Sequence, residues 1–250
     1  MKEIVNNFEE DIRINGPVEI RNEALQKFRE VVEEYYVNNN VDADLIEQLA
    51  KHNQQVEDFV RDYSGEDKES FDVKEREIAI LAAIFHDITK VSGDFLDHGK
   101  DGGRIAEKIL QENGVSFELA HSVSLAIERH MGGEEGYPGR MAKKEFGKKF
   151  KYPIYKTRVA QMVYECDILT QLTPEGFEKI LLLRENDEEN RIEDEKVAEE
   201  KRITRKEASI LSALQSAKES LSFIKMKFIE EDANKFWDEM QKKYRDLIEK

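Results

Sequence analysis

Eight residues in a row, Ile78-Ala79-Ile80-Leu81-Ala82-Ala83-Ile84-Phe85, carry no polar side chain, and the run ends against His86-Asp87. With Asp72 as its start, the segment reads as a helix, and it is the most buried-looking element of the chain. A helix that is apolar on every side has to be surrounded by other elements. Those elements are expected to be helices as well. Only 4 Pro and 13 Gly interrupt 250 residues, of which 37% are charged and 39% apolar. That balance favours an all-α fold.

Periodicity places the other elements. A first helix is predicted over residues 18–37, with Ala24, Phe28, Val31, Val32 and Tyr35 on one side. A second runs from about Asp42 to Tyr63 on Leu45, Leu49, Val56 and Phe59, closed by Ser64-Gly65 and a polar loop. After His86-Asp87 comes a loop with Ser92-Gly93-Asp94. Helices follow from about Gly102 to Glu112, and from about Ser116 to Met131. Residues 132–150, rich in Gly and Lys, read as a long loop of the kind that is functional or mobile. A sixth helix covers about Ile154 to Leu172, and Thr173-Pro174-Glu175 starts another with Pro at its first position.

Composition shifts at 185, and residues 185–207 are almost all charged. Beyond them Ile210, Leu214, Ala217, Leu221, Ile224 and Phe228 form a heptad-like stripe, continued by Ala233, Trp237, Met240, Tyr244 and Leu247. The expected organisation is a body over 1–185 and a charged helical extension over 186–250. The extension reads as one or two long helices, packed on the body or on a second copy in a homodimer.

The net charge of −15 argues against extended nucleic-acid binding, which needs clustered Lys and Arg. It leaves room for a small anion in a locally positive pocket. The lone Cys166 suits a reducing cytoplasm. The first ten residues hold no signal-like apolar core, and no apolar run reaches the roughly 20 residues of a membrane helix.

Four of the five histidines carry the chemical signal. Leu45, Leu49, His52, Val56 and Phe59 share one helical face, so His52 is expected to point inward. Val123 and Ile127 do the same for His130, and Ala160, Val163 and Thr170 for Asp167. A single inward histidine is most often a hydrogen-bonded core residue. Two of them with an inward carboxylate, on three helices, are best satisfied by converging on one cation. His86-Asp87 is the sharpest element, because both side chains can reach a cation at the helix end. Imidazole and carboxylate without thiolate suit Mn, Fe, Co, Mg or Zn.

The segment Leu-Ala-Ala-Ile-Phe-His86-Asp87-Ile-Thr-Lys90 resembles the signature of the HD-domain metal-dependent phosphohydrolases, over about residues 40–180. That resemblance implies a helical-bundle core with metal ligands His52, His86, Asp87 and Asp167. In two-metal members two histidines are added, matched here by His98 in Asp97-His98-Gly and by His130 in Ala-Ile-Glu-Arg-His130. The family usually has Gly where Thr89 stands, a departure expected to affect only a local turn. Gly136-Tyr137-Pro138 partly resembles the HD-GYP phosphodiesterases of cyclic di-GMP, but Arg129 stands where those have a second histidine.

The chemistry implied is hydrolysis of a small phosphorylated substrate, a nucleotide or related phosphoester. One or two divalent ions supply hydroxide from water and neutralise phosphoryl charge. Asp87 and Lys90 are the expected catalytic residues, and Lys90, Arg158 and Arg140 the expected phosphate contacts. The basic loop residues Lys143 and Lys144 accompany Arg140, and His121 reads as structural or supporting. The alternatives are a mixed-valence di-iron oxygenase with the same ligands, a cyclic-dinucleotide phosphodiesterase, and a non-catalytic helical protein that works through its C-terminal stripe.

Overall fold

The computed structural model describes residues 18–65, 71–90, 98–130 and 157–249, and its regular elements there are all helices. They are α1 (Val18–Asn38), α2 (Ala43–Tyr63), α3 (Val73–Phe85), α4 (His98–Glu112), α5 (Phe117–Arg129), α6 (Arg158–Leu172), α7 (Pro174–Asn186), α8 (Glu188–Lys201), α9 (Arg205–Leu221), α10 (Lys227–Lys243) and α11 (Arg245–Ile248). The chain divides into two compact units, Met1–Tyr164 and Glu165–Lys250, with the division inside α6. Among the described residues no helix is long and apolar enough to cross a membrane.

In the first unit α3 is the central helix and packs against α1, α2, α4 and α5. Ile78 to Phe85 are all buried, as a helix without a polar face requires. Its start is locked by a capping box. Asp72 accepts from the Glu75 backbone N–H at 2.8 Å, and Glu75 accepts from that of Asp72 at 3.1 Å.

The buried faces of α1 and α2 are turned relative to the sequence reading. Leu25, Phe28, Val32 and Tyr36 are buried on α1, while Tyr35 is only half-buried. On α2 the buried residues are Leu49, Asn53, Val56, Glu57, Val60 and Tyr63, and Leu45 is exposed. On α2 the turn goes with a buried carboxylate that has two counterions. Glu57 receives Arg29 through two bonds of 2.7 and 2.9 Å, and Arg61 lies 2.7 Å from the same carboxylate. A carboxylate neutralised on two sides can occupy a core position that a hydropathy pattern assigns to solvent. His52 consequently lies at the rim of the buried face, half-buried.

α4 and α5 pack more closely than any other pair in this unit. Gly103 allows it, because a Cβ there would lie 2.6 Å from the Ser124 carbonyl oxygen. α4 begins at His98, four residues before the predicted start, so this histidine stands in the first helical turn. Gly103→Ala is expected to force these helices apart and cost about 1–3 kcal/mol, the usual range for overpacking. Thermal unfolding checks this, with a melt equal to wild type as the contrary result.

In the second unit α9 is central and packs against α7, α8, α10 and α11. The C-terminal third is four helices rather than one or two long ones. α8 ends on Arg202 in the left-handed region (φ 56°), and α9 opens with a Thr204–Glu207 capping box. A break at residues 222–226 separates α9 from α10. The heptad-like stripe is therefore interrupted. Leu214, Ala217, Ile224, Ala233 and Met240 are buried within one chain. Arg184 and Asp194 tie α7 to α8 by a 2.7 Å ion pair.

The loop at 132–150, with Arg140, Lys143, Lys144 and Gly136-Tyr137-Pro138, lies outside the described residues. So do Ser92-Gly93-Asp94, Asp97 and the start of the sixth predicted helix before 157.

Candidate metal centre

The last carbonyls of a helix have no intrahelical partner, and two histidines use them in the same way. His86 caps α3 and places Nδ1 2.8 Å from the Ala83 oxygen. His130 caps α5 and places Nδ1 2.5 Å from the Ile127 oxygen. A carbonyl only accepts, so in the neutral ring Nδ1 carries the proton and Nε2 presents a lone pair. Both rings are held as metal-ligating histidines are, with the second nitrogen donating to an oxygen.

Asp87 follows His86 in a tight turn, where the Lys90 N–H donates to the Asp87 carbonyl at 3.0 Å. Its carboxylate is fully buried. Oδ2 lies 2.6 Å from Lys90 Nζ, 3.4 Å from His52 Nε2 and 3.5 Å from His86 Nε2. Oδ1 lies 3.6 Å from His98 Nε2 and has no hydrogen-bond partner among the described residues. Burial by itself would raise this carboxyl. The charges of His86, Lys90 and His52 outweigh it and hold Asp87 well below the usual carboxylate range.

Two groups of donors result. His52, His86 and Asp87 form one, and Asp87, His98 and His130 the other, with the ligand atoms of each within 4.8 Å of one another. The His52–His86 and His86–His130 ring centroids are 5.3 Å apart, and those of His98 and His130 5.6 Å. The 3.4 to 3.6 Å gaps between the Asp87 oxygens and the imidazole nitrogens exceed the 2.7–3.2 Å of a protein hydrogen bond. They match the roughly 3.4 Å between two ligands that sit about 2.1 Å from one tetrahedral ion. A divalent cation fits this donor set. It would answer the partnerless Asp87 oxygen and take the lone pairs that the helix-end carbonyls turn inward.

Lys90 is one-third exposed and pairs with Asp87. Asp167 is on α6 in the second unit, half-buried, and its partnership with the histidines stays an expectation from sequence. Arg158 opens α6 and lies over the Phe71 ring at 4.5 Å. His121 is exposed, stacked on Phe117 and paired with Glu107 at 3.3 Å. Sequence reasoning did not single out Tyr36, whose hydroxyl donates to the Asp87 carbonyl at 3.2 Å. Burial, then the Asp87 charge, push its phenol up, so it stays a donor. Its spacing after Phe28 and Val32 was the available signal.

Searches of curated proteins and of solved structures find no match to the chain. The family model described as "HD domain" matches residues 43–172, more than half of the chain. That span contains His52, the His86-Asp87 turn, His98, His130 and Asp167, so on the match and the helical architecture the chain belongs to the HD-domain family of metal-dependent hydrolases.

Proposed function

We propose that the protein hydrolyses a small phosphoester, a nucleotide or a close relative, at a centre of two divalent cations. The observation that carries the reading is the position of Asp87, which belongs to both donor groups, with Oδ2 near His52 and His86 and Oδ1 near His98. Cations held there supply a nucleophile from water near neutral pH and offset charge on a phosphoryl oxygen. His52 and His86 would hold one position and His98 and His130 the other, with Asp87 common to both, and Asp167 is proposed as a further ligand on the sequence pattern alone.

The chain's own groups account for the rest. The α3 and α5 carbonyls hold the His86 and His130 rings. Tyr36 fixes the Asp87 backbone, and Lys90 neutralises Asp87 from its outer side. The one-third exposed Lys90 ammonium also offers a contact to an arriving phosphate. Arg158 and Arg140 are proposed as further phosphate contacts. A net charge of −15 suits a small substrate over a nucleic-acid backbone, and the lone, buried Cys166 suits a reducing cytoplasm.

Metal removal tests this. Protein stripped with a chelator is expected to lose hydrolysis of nucleotides and of an aryl phosphodiester, and to regain it with added Mn. Elemental analysis is expected to find about two ions per chain. Iron with oxygen uptake and no phosphate release would move the assignment to an oxygenase. A protein that binds no metal and hydrolyses nothing would end it.

A further inference from the structure

Beyond the ligands, one buried hydroxyl ties the two halves of the centre together. Thr89 is 3% exposed and lies two residues after Asp87. Its Oγ1 donates to the backbone carbonyl of His98 at 2.8 Å. The bond thus runs from the turn that carries His86 and Asp87 to the residue that opens α4. The space around Thr89 is shaped for it. A Cβ on Gly102 would lie 3.3 Å from Thr89 Oγ1 and 3.5 Å from both Ile88 and Ile127, so the absent side chain leaves room for the hydroxyl.

We infer that Thr89 is a positioning residue that sets His98 against Asp87, and so governs the second cation position without ligating it. The inference rests on the two-cation reading above. α4 packs densely on α5 but only slightly on α3. Among the described residues α4 meets α3 directly at few points and otherwise through α5, and Thr89 supplies a direct polar link from the His86-Asp87 turn to His98. The first position has other supports. His52 stands on α2, His86 on the end of α3, and Tyr36 holds the Asp87 carbonyl. The turn demands no glycine at position 89, because Thr89 is not among the described residues with positive φ. A side chain there costs the backbone nothing and adds a donor to a buried carbonyl. The departure at Thr89 thus reaches further than the local turn.

The test is a calorimetric titration of Mn(II) into the metal-free full chain, for wild type, Thr89→Ala and Thr89→Ser. The two variants differ by one oxygen. Wild type is expected to bind two ions. Thr89→Ala is expected to keep the first affinity and lose about 10–100-fold in the second, the usual effect of a group that orients a ligand. Thr89→Ser is expected to match wild type. Should Thr89→Ala fail to fold, loss of the second ion in a folded Thr89→Ser would still overturn the inference. Two unchanged affinities in Thr89→Ala, or both weakened alike, would also overturn it and leave the two-cation centre standing. Fewer than two ions in wild type would overturn that centre and the inference with it.

Discussion

Asp87→Asn is expected to cost both cations and to lower phosphoester hydrolysis by about a thousandfold or more, with the fold retained. Asparagine has nearly the same shape but offers one neutral oxygen in place of a charged pair. Among the described residues Asp87 is the donor common to both groups, so its loss is expected to affect both positions. Stabilisation of transition-state charge by a metal is worth several kcal/mol, and each 1.36 kcal/mol is a factor of ten in rate. Elemental analysis and turnover of the purified variant give the readout, with circular dichroism reporting on the fold. Retention of both metal and turnover would remove Asp87 from the centre. Loss of only one ion would show that the carboxylate serves a single position.

Gly176→Ala is expected to give the largest loss of stability, about 3 kcal/mol or more. That is the upper end of overpacking costs. A Cβ at this position would lie 1.9 Å from the Thr170 carbonyl oxygen, 2.8 Å from its carbon and 3.0 Å from Gln171 Cα. All three are backbone atoms near the end of α6, which cannot swing aside as a flexible side chain would. The reversal into α7 is tight because the Gly176 N–H donates to Thr173 Oγ1 at 3.1 Å. For a unit of under about 100 residues, that cost corresponds to a drop of roughly 10–20 °C in Tm. Gly65→Ala is the control, since its Cβ would meet no atom closer than 3.4 Å. A Gly176→Ala protein that melts with the control would show that the reversal has slack.

Much of the centre was legible because its signals are local. The apolar run of α3 had to be buried, and its junction with His86-Asp87 put two donors at a helix end. Val123, Ile127 and His130 fall on one face and are all buried. Pro174 starts α7 as its preference for the first helical position predicts. In contrast, the inward face of α2 was read on Leu45 and Phe59 because hydropathy counts Glu57 as a surface residue. Arg29, 28 residues earlier, changes that. The stripe beyond Ile210 was read as one continuous surface because spacing alone does not reveal a break. The break is set in part by a distant group, as the buried Glu165 carboxylate accepts the Met226 N–H at 2.8 Å and caps α10 across 61 residues.

By itself, the sequence determined the all-helical class and the burial of α3, and it named the histidine and aspartate candidates for the donor set. These follow from side-chain chemistry and from a 3.6-residue period that acts within a few turns. Tertiary structure decided which donors meet. It gathered two histidine groups around Asp87, linked Thr89 to His98, and buried Glu57 between two arginines. Each of those outcomes needs partners brought together from different helices. The free energy of such a contact depends on distance and burial, which no spacing within one element encodes.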